Sequence, residues 1–337
     1  MPLSAEALLK RLILADISFL TTKEKRMLDA AVSSAKALSS LSLSDISLTI
    51  QRTLKKGCSW NGSALYKKAE CASYLISALQ IQSTFYDDVD FPALLREMPD
   101  PPYALFYRGN LSCLKKPCIS VVGTRRATLL AREAASIFSC EAAGEGCTVV
   151  SGLAYGIDVA SHKGALQAAG GTTAAVLASG IDTITPSSHT RVARQILERG
   201  GCILSEYTPG TPAVAFRFIQ RDRLIAALSP ATVVVQAPSG SGALLTAGFA
   251  LEYGRDVLFH AAAFSPESEL LERANVEKLQ RELSQGRNVA YKLENSPQKY
   301  VSDGASIIKS FSDYLAFRAA APGTLPEKKK SLQEELF

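Results

Sequence analysis

The chain has few of the residues from which metal sites and disulfide scaffolds are built. It holds 3 histidines, and none lies at metal-binding spacing from another, so the sequence predicts no metal site. Its 7 cysteines form no Cys-x-x-Cys pair and are scattered through apolar segments. This pattern indicates reduced, buried thiols in a cytosolic protein.

Long hydrophobic runs are also missing. No apolar stretch approaches the roughly 20 residues that a membrane-spanning helix needs. The N-terminus has no basic region followed by an uninterrupted apolar segment, so we expect no signal peptide. With 47% hydrophobic residues in 337, the chain can bury a full core. We therefore expect a soluble cytoplasmic protein with no membrane partner.

The net charge of +5 is unevenly distributed. Residues 1–80 carry 11 Lys and Arg against 6 Asp and Glu, residues 81–230 carry 14 against 13, and the remainder carries 12 against 13. The N-terminal excess is interpreted as a solvated helix face rather than a binding patch. The overall charge therefore does not indicate nucleic-acid binding. Only a local cluster of basic residues would support it.

The hydrophobic periodicity divides the chain into four parts. Residues 1–82 have helical spacing and predict a small all-helical domain, with a turn at Gly57–Gly62. Residues 83–102 are rich in proline and acidic residues, which favours an extended connector. Residues 103–320 predict an α/β domain that ends in a closing helix over 303–318. Residues 321–337 are expected to form a frayed, charged tail.

The α/β part predicts an extended Rossmann-like, doubly wound, mostly parallel sheet. Near-continuous apolar strands alternate with amphipathic helices, as in sheets covered on both faces. The predicted strands are Tyr103–Tyr107, Cys118–Val122, Cys147–Val150, Thr173–Ala178, Cys202–Leu204, Thr232–Gln236, Asp256–His260 and Asn288–Lys292.

Small residues follow four of these strands. The turns contain Gly123-Thr124-Arg125, Ser151-Gly152, Gly180 and Ser241-Gly242. At such strand-to-helix turns, free backbone N–H groups and the helix dipole create an anion site. An arginine there can also bind a phosphate through two parallel hydrogen bonds. Each turn alone is also compatible with an ordinary tight connection, and it is their convergence at one sheet edge that favours phosphate binding.

The usual nucleotide-binding signatures are absent from these turns. Arg126-Ala127-Thr128-Leu129 supplies neither the second and third glycines of a dinucleotide fingerprint nor the Gly-Lys-Ser/Thr of a Walker loop. Dehydrogenase and NTPase functions therefore lose their main support, and we predict no cofactor.

Arg221 and Arg223 form a basic doublet around Asp222. Spacing alone is compatible either with phosphate binding or with an internal ion-pair cluster. Structural roles are favoured for Glu206, as a partner of an arginine or a loop cap, and for Asp158 at a helix start. His162 is expected to serve packing or hydrogen bonding rather than catalysis.

The ordered set of motifs resembles the DNA-processing protein A (DprA/Smf) family over roughly residues 100–317. The matching segments are Val121–Arg125, Ser151–Asp158, Gly180-Ile181-Asp182 with Pro186, Leu204–Glu206, Arg221–Ile225, Ser241–Ala247 and Asp303–Ala305.

The resemblance implies a non-catalytic protein that binds and protects incoming single-stranded DNA. Family members form homodimers and load the RecA recombinase during natural transformation. Carried over by position, the DNA-binding residues would be Gly123, Thr124, Arg125, Ser151, Gly152, Gly180, Arg221, Arg223, Ser241 and Gly242. The N-terminal helices resemble the small, SAM-like helical domain of many members.

Three departures from the family pattern are visible. The family usually has Arg-Asn-Arg where this chain has Asp222 in the middle, and a carboxylate there opposes phosphate unless an arginine pairs with it. A charged helical segment, 267–285, replaces the usual Gly-rich stretch after strand Asp256–His260. We also expect no C-terminal winged-helix domain.

Two other hypotheses remain open from the sequence. One is a Rossmann-like nucleotide-binding protein related to nucleoside-monophosphate phosphoribohydrolases. Their Pro-Gly-Gly-x-Gly-Thr-x-x-Glu signature is poorly matched by Pro238–Thr246, with Glu252 further along. The other is a structural relative that keeps the fold but has lost strong DNA binding. The sequence does not fix the dimer surface, for which an exposed apolar helix near residues 243–253 is a candidate.

Overall fold

A computed structural model describes residues 4–320. The N-terminal helices are α1 (Ala5–Asp16), α2 (Thr22–Ala31), α3 (Ala35–Ser39), α4 (Leu43–Thr49) and α5 (Gly62–Ala78). Polar N-caps define their starts: Thr21 and Ser42 each form a capping box with the acidic residue three positions later, satisfying amides that have no partner within the helix. Basic residues of this region form ion pairs, such as Lys68 with Asp16.

The remaining elements alternate between strands and helices. They are β1 (Gln82–Phe85), α6 (Ala93–Arg96), β2 (Ala104–Gly109), β3 (Cys118–Gly123), α7 (Leu129–Gly144), β4 (Thr148–Ser151), α8 (Ile157–Ala165), β5 (Thr172–Val176), α9 (Thr190–Glu198), β6 (Cys202–Ser205), α10 (Ala215–Ala227), β7 (Ala231–Gln236), α11 (Gly242–Glu252), β8 (Asp256–His260), α12 (Pro266–Ser284), α13 (Ala290–Glu294), α14 (Pro297–Ser302), β9 (Ser306–Ile308) and α15 (Phe311–Ala319).

The strands form one sheet in the order β1-β2-β6-β5-β4-β3-β7-β8-β9. From β6 to β9 every pair is parallel, and β1 and β2 add an antiparallel edge. The predicted doubly wound, mostly parallel sheet is thus confirmed. The central strand β7 is buried at all its positions, since helices cover both of its faces.

Helices pack on both faces of the sheet. On one face, Leu224 of α10 and Leu244 of α11 pack with Val234 of β7. On the other, Phe138 of α7 and Phe311 of α15 belong to a second cluster. A third cluster lies on this second face and is formed by the N-terminal helices, α9 and the strands β2, β5 and β6. Its members include Leu12, Leu28, Phe106, Val192 and Ile203.

Residues 83–102 do not form an extended connector. They contain most of β1, which pairs with β2, and the short helix α6, whose Leu95 is fully buried. Phe91 and Met98 are buried beside it. Because these apolar side chains fill the space under the sheet edge, the segment folds with the α/β domain despite its prolines.

Two further predictions near the end of the domain are wrong. Residues 288–292 are not a strand, because β9 already occupies the edge beside β8; most of that segment lies in α13. The predicted closing helix over 303–318 begins late, since Ser306–Ile308 pairs with β8 and α15 follows. The predicted tail, 321–337, lies outside the described residues.

The candidate helix for the dimer surface is mostly buried rather than exposed. Ala243, Leu244 and Ala247 of α11 pack in the core, and Leu251 is its one large apolar residue that is substantially exposed. All seven cysteines are free, as expected, but Cys71 is exposed rather than buried. Within residues 4–320, no helix has the length and apolar character needed to span a membrane.

Candidate functional site

A cleft of about 500 Å³ opens where β3 and β7 end. These strands are neighbours, but the chain builds the sheet from β3 to β6 on one side and from β7 to β9 on the other. In open parallel sheets, ligands bind at the carboxyl ends of the strands where the order reverses in this way. The turns Gly123–Arg126 and Pro238–Gly242 form facing walls of the cleft.

The turn after β3 presents an arginine. Gly123 has no room for a side chain, because a Cβ there would overlap Ile157 and the carbonyl of Gln236. The amide of Thr124 donates to the oxygen of Gln236 at 2.6 Å, which fixes the turn against β7. Arg125 is exposed, and its guanidinium carbon lies 4.8 Å from the centroid of the Phe218 ring. This cation–π contact orients a free positive charge at the cleft mouth.

The turn after β7 supplies backbone donors at the start of α11. Ser241 caps the helix by accepting from the Ala243 amide at 3.4 Å. The amides of Gly240 and Gly242 donate to no acceptor within residues 4–320. Free amides at the positive end of a helix dipole are suited to bind an anion. Among the predicted residues, Gly123, Thr124, Arg125, Ser241 and Gly242 therefore meet at one cleft.

Arg221 also borders this cleft, but its guanidinium is used inside the protein. The side chain is 3% exposed. Its Nη1 donates to the carbonyl of Gly152 at 2.7 Å and to that of Val176, while Nε donates to Asp222 at 3.0 Å. A Cβ on residue 152 would overlap the guanidinium, so Gly152 makes room for it. Arg221 thus ties together the ends of β4 and β5 beneath the cleft.

Two carboxyl groups lie beside Arg221, of which Asp158 is buried and Asp222 is partly buried. Burial raises the pKa of Asp222 to about 6; Arg221 opposes the rise and Asp158 adds to it. Burial also raises the pKa of Asp158, again against the effect of Arg221. Asp222 is therefore paired with Arg221, and this pairing offsets the repulsion between its carboxylate and a phosphate. Its charge changes in the near-neutral pH range.

Four predicted residues are not part of the cleft lining: Gly152, which lies beneath it against Arg221, and Ser151, Gly180 and Arg223. The Ser151 hydroxyl is buried and donates to the carbonyl of Val121 at 2.7 Å, so it joins β4 to β3. Gly180 packs tightly against Asp182 and donates its amide to Thr211 at 2.8 Å. The structure does not bring Ser151, Gly180 or Arg223 to the surface that carries Arg125.

Arg223 instead pairs within the α/β domain, close to Lys25 of α2. It forms an ion pair with Glu206 and donates to the carbonyl of Asp100 at 2.8 Å. Burial raises the pKa of Glu206, and burial lowers the pKa of the nearby Lys25 to about 8. The prediction that Arg221 and Arg223 line one basic pocket is therefore wrong. Because Arg221 and Arg223 are two residues apart on α10, their side chains point to different sides of the helix.

Several cleft residues are not predictable from the motifs. They are Arg126, Phe218, Asn275, Lys278 and Lys292. The last three come from α12 and α13, which form a third wall. Glu272 of α12 accepts hydrogen bonds from the Ser239 amide, at 2.7 Å, and from its hydroxyl. The charged helix was visible in the sequence, but its position over the strand ends depends on this tertiary contact.

The doubly wound sheet and the cleft at its crossover point define a Rossmann-like α/β protein. The chain belongs to the DNA recombination-mediator protein A family, whose model matches residues 82–317.

Proteins similar in sequence to this chain are named Smf or DprA. Protein Smf of Escherichia coli is 41% identical over 171 residues, which cover 51% of this chain and 46% of that protein. DNA processing protein DprA of Streptococcus pneumoniae is 40% identical over 171 residues, 50% of this chain and 58% of that protein. The chain thus spans about half the length of these curated relatives. An X-ray structure of DprA from Streptococcus pneumoniae has a TM-score of 0.63 at 28% identity, with 94% of this chain and 98% of that chain covered.

Proposed function

We propose that this chain binds single-stranded DNA in the cleft, without a chemical step, and delivers the strand to the RecA recombinase. Membership in the recombination-mediator family supports the role. The observation that carries the choice of ligand is the stacking of exposed Arg125 on Phe218, next to the free amides of Gly240 and Gly242. A single strand offers both the phosphates and the unstacked bases that such a surface takes.

The charge around the cleft supports a polyanionic ligand. Its lining contains five basic side chains (Arg125, Arg126, Arg221, Lys278 and Lys292) and three acidic ones (Asp158, Asp222 and Glu282). Asp158 is buried, Asp222 is partly buried, and both lie close to Arg221, whereas Arg125, Arg126 and Lys278 are exposed. Accessible positive charge binds phosphates regardless of base sequence, and salt weakens such binding.

The buried histidines support a binding role over acid–base chemistry. Complete burial lowers the pKa of His162 to about 3, and its ring contacts Thr173 at 2.7 Å and the Leu153 amide at 3.3 Å. His189 contacts the carbonyl of Leu153 at 2.8 Å. Both rings thus hold the turn after β4 in place.

Competition binding tests the proposal. A labelled oligothymidylate is titrated with the protein in the presence and absence of an unlabelled duplex of equal length. Retention of the single strand against the duplex supports the proposal, and equal competition by the duplex contradicts it. Release of free base from AMP, followed by chromatography, would instead indicate a phosphoribohydrolase.

The proposed partners are RecA and a second copy of the chain, as in the family that the motifs resemble. Sedimentation of the protein with and without RecA, each with and without the oligothymidylate, tests both associations. A monomer that does not co-sediment with RecA under any of these conditions contradicts this part of the proposal.

A further inference from the structure

A second groove runs along the surface between α8 and α9. It has a volume of about 620 Å³, and its lining includes Lys163 of α8, Arg191 of α9 and Arg199, the residue that directly follows α9. All three side chains are exposed. No carboxylate in the described part of the chain lies within 4.0 Å of their charged nitrogens. Glu198 is the single acidic residue in the groove lining, so the groove has an excess of positive charge.

The sequence of α9 explains this surface. Val192, Ala193 and Ile196 face inward and pack in the core, which leaves Arg191 and Arg199 on the solvent side. They are eight residues apart, which separates them by about 80° around the helix and by about 12 Å along its axis. Ion pairs within the protein account for other arginines such as Arg223, but not for these two.

The groove is connected to the cleft by a short series of contacts. Gly156, before α8, lies so close to the carbonyls of Thr124 and Arg125 that it has no room for a side chain. Its neighbour Tyr155 is 52% exposed, and its hydroxyl lies 3.2 Å from the hydroxyl of Ser188. Ser188 is part of the groove lining. A polymer bound at Arg125 can therefore pass over Tyr155 and enter the groove without leaving the protein surface.

We propose that the α8–α9 groove is a second phosphate-binding track, in which Lys163, Arg191 and Arg199 hold the continuation of a single DNA strand from the cleft. The inference depends on the proposed function. An exposed aromatic ring between two basic surfaces is an arrangement that takes a base between successive phosphates. The track makes binding dependent on strand length, since a short strand fills the cleft and only a longer one reaches α9.

The test compares two oligothymidylates, of about 5 and about 20 nucleotides, which bracket common single-domain site sizes. The double variant Arg191→Ala/Arg199→Ala is measured beside Lys55→Ala/Lys56→Ala, which removes the same charge from exposed positions of the helical domain. A third variant, Arg191→Lys/Arg199→Lys, keeps the charge.

The alanine double variant neutralises two fewer phosphates of the longer strand. The slope of log affinity against log salt concentration should therefore become shallower by about 1.4, which corresponds to about a 25-fold loss of affinity at 0.1 M salt. Affinity for the short strand should stay unchanged, and the lysine variant should retain binding to both. An equal loss in the Lys55/Lys56 control, or no loss on the longer strand, overturns the second track. Failure of the unaltered protein to bind either strand overturns the proposed function itself.

Discussion

Arg221 donates a hydrogen bond to the carbonyl of Gly152 at 2.7 Å, and its guanidinium fills the space that any side chain at position 152 would need. A residue that the motifs assign to the ligand is thereby committed to the protein interior. The two arginines of the cleft therefore differ: Arg125 is exposed and is the proposed phosphate contact, whereas Arg221 is buried and holds the strand ends beneath it.

Gly152→Ala should destabilise the fold. The added methyl group displaces a buried guanidinium from its acceptors, and we expect the free energy of unfolding to fall by about 2–3 kcal/mol. Urea denaturation measures the change. Gly144→Ala is the control, because a Cβ there meets no neighbouring atom within 4 Å. Equal stability of the two variants would contradict the role given to Gly152.

Arg125→Ala should weaken binding of single-stranded DNA without affecting stability. The side chain is exposed, so its removal takes one phosphate contact and little packing. The salt dependence of log affinity should flatten by about 0.7. Fluorescence anisotropy at several salt concentrations provides the measurement, with the exposed Arg132→Ala of α7 as the matched control. Unchanged affinity in the Arg125 variant would show that this site assignment is wrong.

Binding of single-stranded DNA should strengthen as the pH falls through about 6. The pKa of Asp222 is raised to about 6 from an ordinary 3.8, so this carboxyl loses its negative charge over that range. The charged groups around it are Arg221, Asp158 and Arg125. Asp222→Asn should bind more tightly at neutral pH and show a smaller pH dependence. A titration with the same pH dependence in both proteins would exclude Asp222 as the cause.

The same carboxyl links stability to pH. Because its folded pKa lies above its ordinary value, it contributes stability at pH below about 3.8 that is lost as the pH rises through about 6. Asp222→Asn should therefore gain stability relative to the unaltered protein as the pH rises from 4 to 7. Thermal unfolding of both proteins across this range measures the difference.

Arg223→Ala should affect stability and leave DNA binding almost unchanged. The side chain pairs with the partly buried Glu206, which lies near Lys25 of α2. Removing it leaves that carboxyl with Lys25 as its remaining nearby cation, and we expect a loss of about 2–3 kcal/mol in the free energy of unfolding. Denaturation and anisotropy on one preparation separate the two effects. A large loss of affinity in the folded variant would restore Arg223 to the binding site.

The sheet and most of its strands could be predicted because buried parallel strands have a distinctive composition. The segment Thr232–Gln236 is an example: its apolar run lies between turn residues, and the structure begins that strand one residue earlier. The segment Asn288–Lys292 was also predicted as a strand but folds mainly into α13, because β9 occupies the available sheet edge. Strand propensity does not reveal which edges are already occupied.

The cleft was predictable in part for a related reason. Glycines at strand ends mark places of close backbone approach, and Gly123 and Gly152 both proved to be such places. What approaches them differs, since Ile157 and Gln236 contact the first and Arg221 the second. Spacing along the chain cannot distinguish a glycine that admits a ligand from one that admits an arginine of the protein itself.

The N-terminal helices share their core with the sheet, and this has a consequence for how the molecule can be divided. Leu12 and Leu28 belong to the same buried cluster as Phe106 and Ile203. A fragment that starts at β1 would lose the contact of Arg11 with the buried Phe85 ring and the hydrogen bond between Asp16 and Thr208, and it would expose apolar surface, which favours aggregation. Limited proteolysis should therefore leave the helices attached, and calorimetry should record a single melting transition for the two parts together.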